Sequence, residues 1–514
     1  MSKAALRAMP PVNHSVAAEH VADSTVIDPR RWHALPIILT APFLSVLDFF
    51  IVNISVPAIQ SGLGATFAQV QLVIAGYGLT YAVFLITGGR LGDIYGRKRM
   101  FMLGMGGFTL ASALCGFAHS PNMLVVSRLF QGVMAAVMVP QVLAIIQVSF
   151  PSHERSRAFG IFGAVVGLAS ILGQLLGGLL LGANLFGLTW RPIFLVNVPV
   201  GVIALAATAR VLRESRSDIR LRLDLGGVAI ISTALYLLVG SLVEGREANW
   251  GAWTYTGIVG SLMMLVGFVF YERWKTARDG SPLVALSLFR DRAFVVGLCI
   301  TLLFFSGLGA FFLTFTVYLQ TGLRFSPVAA GLIFAPFAVG FSLASTVSVK
   351  LVPRLQSRIL NLGSGMMIIG LVLLMLLVRA DGVAMRGWHM VPVLFIYGTG
   401  QGFVIAPLFN IILSGVKGSD AGSASGILST VQQVASAVGV AAIGSIFFGL
   451  LHTTDSPDLQ PMSVVYPGAF AATLWYNAGL LAATFLLVFA LPRECCGEFK
   501  AGAGSKAISA GAHV

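Results

Sequence analysis

The chain has 514 residues, of which 57% are hydrophobic and only 10% charged, against about 25% charged in an ordinary soluble domain. So few charges cannot cover a water-facing surface of this size, which excludes a soluble globular protein and points to an integral membrane protein. The formal net charge of +13 does not mark a nucleic-acid binder, because the basic residues gather in alternate loops between apolar runs, as the positive-inside rule requires.

Residues 1–33 are mixed and polar, carry no secretory signal, and are expected to form a disordered cytoplasmic tail. Apolar runs then follow near 35–57, 70–89, 100–118, 123–148, 158–182, 193–212, 225–243, 253–271, 294–319, 328–349, 359–378, 390–413, 424–451 and 470–491. Each is close to the ~20 residues a helix needs to cross a ~30 Å hydrocarbon core. They predict an all-α integral membrane fold of fourteen transmembrane helices. The first six fall in 34–213, two inserted helices with cytoplasmic linkers in 214–292, the last six in 293–492, and a second cytoplasmic tail in 493–514.

An even number of spans places both ends of the chain on one side. Loops on that side carry Arg90, Arg97, Lys98, Arg99, Arg155, Arg157, Arg273, Lys275, Lys350, Arg354 and Arg358, whereas the opposite loops offer residues such as Arg191, Arg246 and Arg324. This asymmetry predicts cytoplasmic termini in the cell membrane. The cysteines show no metal-ligand or disulfide spacing, and no nucleotide-binding loop or nucleophile motif occurs, so neither an enzyme nor a cofactor is expected.

Between the second and third runs, residues 88–99 read Gly-Gly-Arg-Leu-Gly-Asp-Ile-Tyr-Gly-Arg-Lys-Arg. Gly89, Gly92 and Gly96 allow a tight turn and close backbone approach. Asp93, just beyond the second run, is placed to receive a cation or cap a helix end. Arg90, Arg97 and Lys98 complete the group, and Arg97, Lys98 and Arg99 are expected to anchor the turn at an anionic leaflet. Residues 350–358 echo it, keeping basic positions but losing the acid and the glycines. Two related halves are what a transporter built from repeats would show.

Buried charge is the sharpest discriminator. Nearly all acids lie in tails, loops or helix ends, whereas Asp48 lies well inside the first run. A carboxylate in the membrane costs ~2.5–3.5 kcal/mol on insertion scales, so Asp48 is the candidate proton carrier or cation-binding group. A structural hydrogen-bond partner is the competing reading. Arg128, a few residues into the fourth run, would favour the deprotonated form of a nearby carboxylate; a helix-end side chain reaching toward water is its alternative. Asn53, Gln141, Tyr318, Gln320, Asn410 and Gln432 are candidate cavity residues, each equally readable as packing. Pro140, Pro336 and Pro407 mark bends or static kinks.

The segment 88–99 closely resembles the signature turn of the major facilitator superfamily. Arg128-Leu129-Phe130-Gln131-Gly132 resembles that superfamily's arginine motif, and residues 47–57 and 190–201 resemble its 14-span drug:proton antiporters. Gly422-Ser423-Ala424-Ser425-Gly426 and Gln432-Gln433 also look like this branch. The fifth run carries Gly163, Gly167, Gly173, Gln174, Gly177 and Gly178; Gln174 stands where the family pattern has a proline, which leaves the expected kink in doubt.

The resemblance implies two six-helix bundles and proton-coupled efflux of drugs or other lipophilic, often cationic, compounds by alternating access. It links the Arg128 motif to proton coupling, for which Asp48 is the candidate carrier by its position, and the turn around Asp93 to gating. Export of one metabolite, such as a siderophore, antibiotic or amino acid, is the alternative. The implied partners are a small-molecule substrate, protons and membrane lipids, with no nucleic acid; the sequence names no periplasmic or outer-membrane efflux partner. A channel is disfavoured because no pore-lining ring or filter loop is present.

Overall fold

The computed structural model describes residues 29–65, 67–183, 185–216, 224–245, 250–279, 282–382, 385–452 and 462–492. Within them the chain forms α1 (Arg31–Ile38), α2 (Thr40–Ile54), α3 (Val56–Leu63), α4 (Phe67–Tyr95), α5 (Arg97–Gly116) and α6 (Pro121–Ser149). Then come α7 (Ser152–Ala183), α8 (Pro192–Leu195), α9 (Asn197–Val211), α10 (Leu225–Gly245), α11 (Ala252–Asp279) and α12 (Arg292–Val317). The series ends with α13 (Pro327–Ile333), α14 (Ala335–Leu355), α15 (Arg358–Asp381), α16 (Gly387–Ser414), α17 (Ala421–His452) and α18 (Met462–Leu487). The expected tails lie almost wholly outside the described residues, and α1 already begins at Arg31.

Thirteen helical stretches among the described residues are long and apolar enough to cross a membrane. The fourteenth is α5, whose twenty residues span about 30 Å at 1.5 Å per residue. Its basic first turn and its glycines at 104, 106 and 107 dilute its apolar character. The exterior is correspondingly apolar, with Leu103, Ile203, Met263, Phe270 and Leu376 all exposed, as a lipid-facing surface must be.

Local chemistry sets several helix starts. Ser120 accepts from the Met123 N–H at 3.3 Å ahead of Pro121 in α6, and Asp291 accepts from the Ala293 N–H at 2.8 Å at the start of α12. Pro140 and Pro407 sit inside continuous α6 and α16, so neither interrupts its helix. Pro336 does follow a true break, between α13 and α14.

Helices α4, α5 and α6 pack together, with α9 against α5 and α2 against α7. In the second half α16 packs on α14 and α15, while α12 packs on α17 and α18. The halves meet along two seams, α4 against α17 and α7 against α14. The inserted α10 and α11 pair with each other, and α10 leans on both α4 and α17.

Candidate functional site

Residues 88–99 are not the open turn their composition predicts. Helix α4 continues through Tyr95, and the chain breaks at the single residue Gly96, whose φ of 105° suits glycine. Asp93 therefore belongs to the last turn of α4 rather than to a loop beyond it. Buried neighbours replace the water that such polar residues would otherwise need.

Both oxygens of Asp93 are used. Oδ1 accepts from the Gly422 N–H at 3.0 Å and Oδ2 from the Ser423 N–H at 3.0 Å. These are unsatisfied N–H groups at the start of α17, where the helix dipole favours an anion. The Arg97 guanidinium pairs with Asp93 at 2.8 Å and donates to the Gly418 carbonyl at 2.7 Å. Arg97 and Arg90 are both buried, which removes Arg97 from the expected anchor at the leaflet, whereas Arg99 is exposed. Lys98 donates to the Ala209 carbonyl at 3.0 Å, and the Glu214 carboxylate accepts from the N–H groups of Lys98 and Arg99 at 3.0 and 3.2 Å, capping α5.

The backbones of α4 and α17 touch at this end. A Cβ on Gly89 would land on the Gly422 carbonyl, and one on Gly422 would land on the Gly89 carbonyl. Gly92 faces the Gln141 side chain, which donates to the Gly88 carbonyl at 2.7 Å. Gln147 adds a bond to the Leu413 carbonyl at 2.5 Å, and Asn410 one to Ser156 at 3.1 Å, both across the halves. The basic end of the bundle is thus closed.

A second polar site lies toward the opposite end. Arg128 sits two turns into α6, about 10 Å from its start, and its Nη1 donates to Asp48 Oδ2 of α2. Both residues are essentially inaccessible, so Arg128 is no helix-end side chain reaching for water. The guanidinium also donates to the Val73 carbonyl at 3.0 Å and to Gln131 Oε1 at 2.8 Å, and lies 4.4 Å over the Tyr77 ring. Asp48 Oδ1 accepts from Gln131 at 3.1 Å and from Asn197 at 3.0 Å. Ser112 accepts from Gln131 at 2.8 Å. Side chains of α6 and α9 therefore converge on the α2 carboxylate, and Ser112 of α5 accepts from both Gln131 and Asn197 behind it.

The glycines of α7 line the seams. Gly163 and Gly167 face Ser345 and Phe341 of α14, a Cβ on Gly173 would lie 2.8 Å from the Leu47 carbonyl of α2, and Gly178 faces Val328. Gly177 is buried beside them. The side chains of Gln174 and Asn53 lie outside the described residues. The remaining cavity candidates are not brought together. Gln141 holds α6 to α4; Tyr318 is fully buried, stacks on Phe470 and donates to the Gly382 carbonyl at 3.0 Å. Gln320 lies half-buried in the π-helical turn Tyr318–Gly322, and Asn410 and Gln432 are half-buried on α16 and α17.

The chain matches the profile of the Major Facilitator Superfamily over residues 38–440. The protein belongs to that superfamily. It is a multi-span membrane transporter of small molecules rather than an enzyme. It is 39% identical to a probable actinorhodin transporter of Streptomyces coelicolor, over 84% of this chain and 75% of the relative. It is 33% identical to a puromycin resistance protein of Streptomyces alboniger, over 90% and 92% of the two chains. A tetracenomycin C resistance and export protein of Streptomyces glaucescens is 32% identical over 81% and 76%. The fold is also that of the human organic anion transporter MFSD10, with a TM-score of 0.61 at 16% identity, covering 90% of this chain and 99% of that one.

Asp48, Arg128 and the segment around Asp93 are legible in the sequence. Gln131, Asn197, Ser112 and Tyr77 were not singled out as site residues. Their signal was present: Gln131 lies one helical turn from Arg128, and Asn197 is an amide within an apolar run.

Proposed function

We propose that this transporter exports lipophilic, aromatic drugs or antibiotics in exchange for protons, with its basic end in the cytoplasm. The observation that carries the reading is the separation of two buried charge sites. The Asp48–Arg128 pair lies toward the outer end, while Asp93 holds the cytoplasmic end closed. A proton arriving from outside binds Asp48 and neutralises it. Arg128 then keeps the Val73 carbonyl, the Gln131 side chain and the Tyr77 ring as partners, so the carboxyl is freed without stranding the guanidinium. Separation of α4 from α17 exposes the site to the cytoplasm, where substrate enters and the proton leaves.

The substrate class is supported by two things. The relatives are named for actinorhodin, puromycin and tetracenomycin C. The seam between the halves also carries aromatic rings, with Phe50 against Phe312 at 6.2 Å, Phe162 against Phe409 at 5.9 Å, and Phe305 stacked on Phe409 at 6.4 Å. Such rings favour planar aromatic guests. Asp48 is already engaged by Arg128, Gln131 and Asn197, so the rings rather than a free carboxylate supply the contact. Export of one antibiotic is the second reading, favoured by relatives named for single compounds.

Purified protein in liposomes tests the proposal. Uptake of a panel of aromatic antibiotics, dyes and quaternary ammonium compounds is measured with and without an imposed pH gradient. Gradient-dependent movement of several aromatic compounds is expected. Movement of one compound favours the second reading, and movement indifferent to the gradient overturns proton exchange.

A further inference from the structure

Neither the ion pair nor the closed cytoplasmic end uses the inserted hairpin, yet its base holds a second group of buried charge. Asp224 precedes α10 and is 3% exposed; Glu272 lies within α11 and is 0% exposed. The sequence places Glu272 in a loop, but α11 runs on to Asp279 and buries it. Asp224 Oδ1 accepts from the Tyr271 hydroxyl at 2.8 Å, and Glu272 Oε2 from the Val284 N–H at 3.3 Å. The other two oxygens, Asp224 Oδ2 and Glu272 Oε1, have no donor among the described residues. Both are aimed at one spot, for a Cβ on Gly227 would lie 2.7 Å from the first and 2.8 Å from the second.

Arg90 stands beside them, 1% exposed. Its Nη2 donates to the Pro282 carbonyl at 2.5 Å, while Nε and Nη1 have no acceptor among the described residues. The charged and titratable groups facing the pair are Arg90 from α4 and Tyr271 from α11; Asp93 of α4 and Asp420 of the turn before α17 act in turn on Arg90, and Lys275 of α11 on Tyr271.

We propose that Asp224 and Glu272 form a second proton-binding site, holding one proton between two carboxylates while the cytoplasmic end is closed. Two ionised carboxylates sharing a buried site repel, and one proton removes that repulsion. Glu272 is the more deeply buried of the two, and its Oε1 has no donor among the described residues; the shared proton is assigned to Glu272 Oε1. When it passes to cytoplasmic water, Glu272 becomes a carboxylate, and the added charge draws the Arg90 guanidinium away from the Pro282 carbonyl. The same return segment bridges the halves, because the Leu283 carbonyl accepts from the Ser423 hydroxyl of α17 at 3.4 Å. Proton release at the hairpin thus loosens the contact between α4 and α17. This effect on transport rests on the proposed proton exchange; the proton site itself does not.

Infrared difference spectra of the full chain in lipid nanodiscs, recorded across a pH step, read a protonated carboxyl group directly. A pH-dependent carboxyl band is expected in the wild type and in Asp48→Asn, and its loss in Glu272→Gln. Failure of exchange at Asp48 would leave this band in place, so the two readings fail separately. An unchanged band in Glu272→Gln overturns the site. If that variant misfolds, Asp224→Asn combined with Glu272→Gln, neutral at both positions, is measured instead. Loss of the band there supports the site, and its persistence overturns it.

Discussion

Asp93 and Gly422 stand 329 positions apart in the chain, yet the carboxylate of one accepts the backbone N–H of the other at 3.0 Å. The same carboxylate pairs with Arg97, which in turn reaches the Gly418 carbonyl of the second half. One side chain thus ties the start of α17 to the end of α4.

Asp93→Asn removes the charge that compensates buried Arg97. Breaking a buried ion pair from one side costs about 3–5 kcal/mol, enough to invert a two-state population. Spin labels placed on the two halves at the basic end should report a longer distance in the variant. Transport should fall at least about tenfold while equilibrium substrate affinity changes less than about threefold. A pure affinity loss with unchanged distances would remove the closing role from Asp93.

Asp48→Asn should abolish gradient-driven transport and also lower thermal stability, because Arg128 keeps the Val73 carbonyl, Gln131 and the Tyr77 ring but loses the buried charge that compensates it. Asp48→Asn combined with Arg128→Gln should regain much of the stability and none of the transport. A double-mutant cycle on melting temperature and flux separates the two losses. Recovery of transport in the double variant would contradict the proposed proton site.

Gly89→Ala places a methyl group against the Gly422 carbonyl. Backbone cannot rotate aside as a side chain does, so the closed arrangement is lost and flux falls. Proteolysis or cysteine labelling at the basic end should rise in parallel. Normal flux in Gly89→Ala would show that the two backbones separate more widely than their contact implies.

Phe312→Ala and Phe409→Ala should alter substrate range without uncoupling the proton. Each lost ring pair weakens an aromatic guest by about 0.5–1.5 kcal/mol, or roughly two- to tenfold in apparent affinity. Flux of several compounds over a range of concentrations checks this, since the maximal rate should hold while half-saturation moves. A uniform fall in maximal rate would assign these residues to the rocking motion instead.

The fourteen long helices were legible because an apolar run has to match the thickness of hydrocarbon, and the lone acid at 48 stood out for the cost of placing it there. The partners of Asp48 were hidden for a different reason. Gln131 and Asn197 lie 83 and 149 positions away, and an amide in an apolar run carries no sign of what it faces. Residues 88–99 were misread as a turn because glycine and charge ordinarily mean solvent. The burial of Arg97 and Arg90 depends on α17 and on the hairpin's return segment, neither of which local composition can reveal. Glu272 was missed in the same way, as its helix outlasts its apolar run.

The seam where Gly89 meets Gly422 is made of main chain, whereas the seam that would hold a guest is made of Phe50, Phe312, Phe162 and Phe409. The two therefore answer to different kinds of change. Rings can be exchanged one at a time to admit a new compound, and the shutter at the far end keeps its fit throughout. A transporter divided in this way can acquire resistance to an unfamiliar antibiotic without relearning how to open.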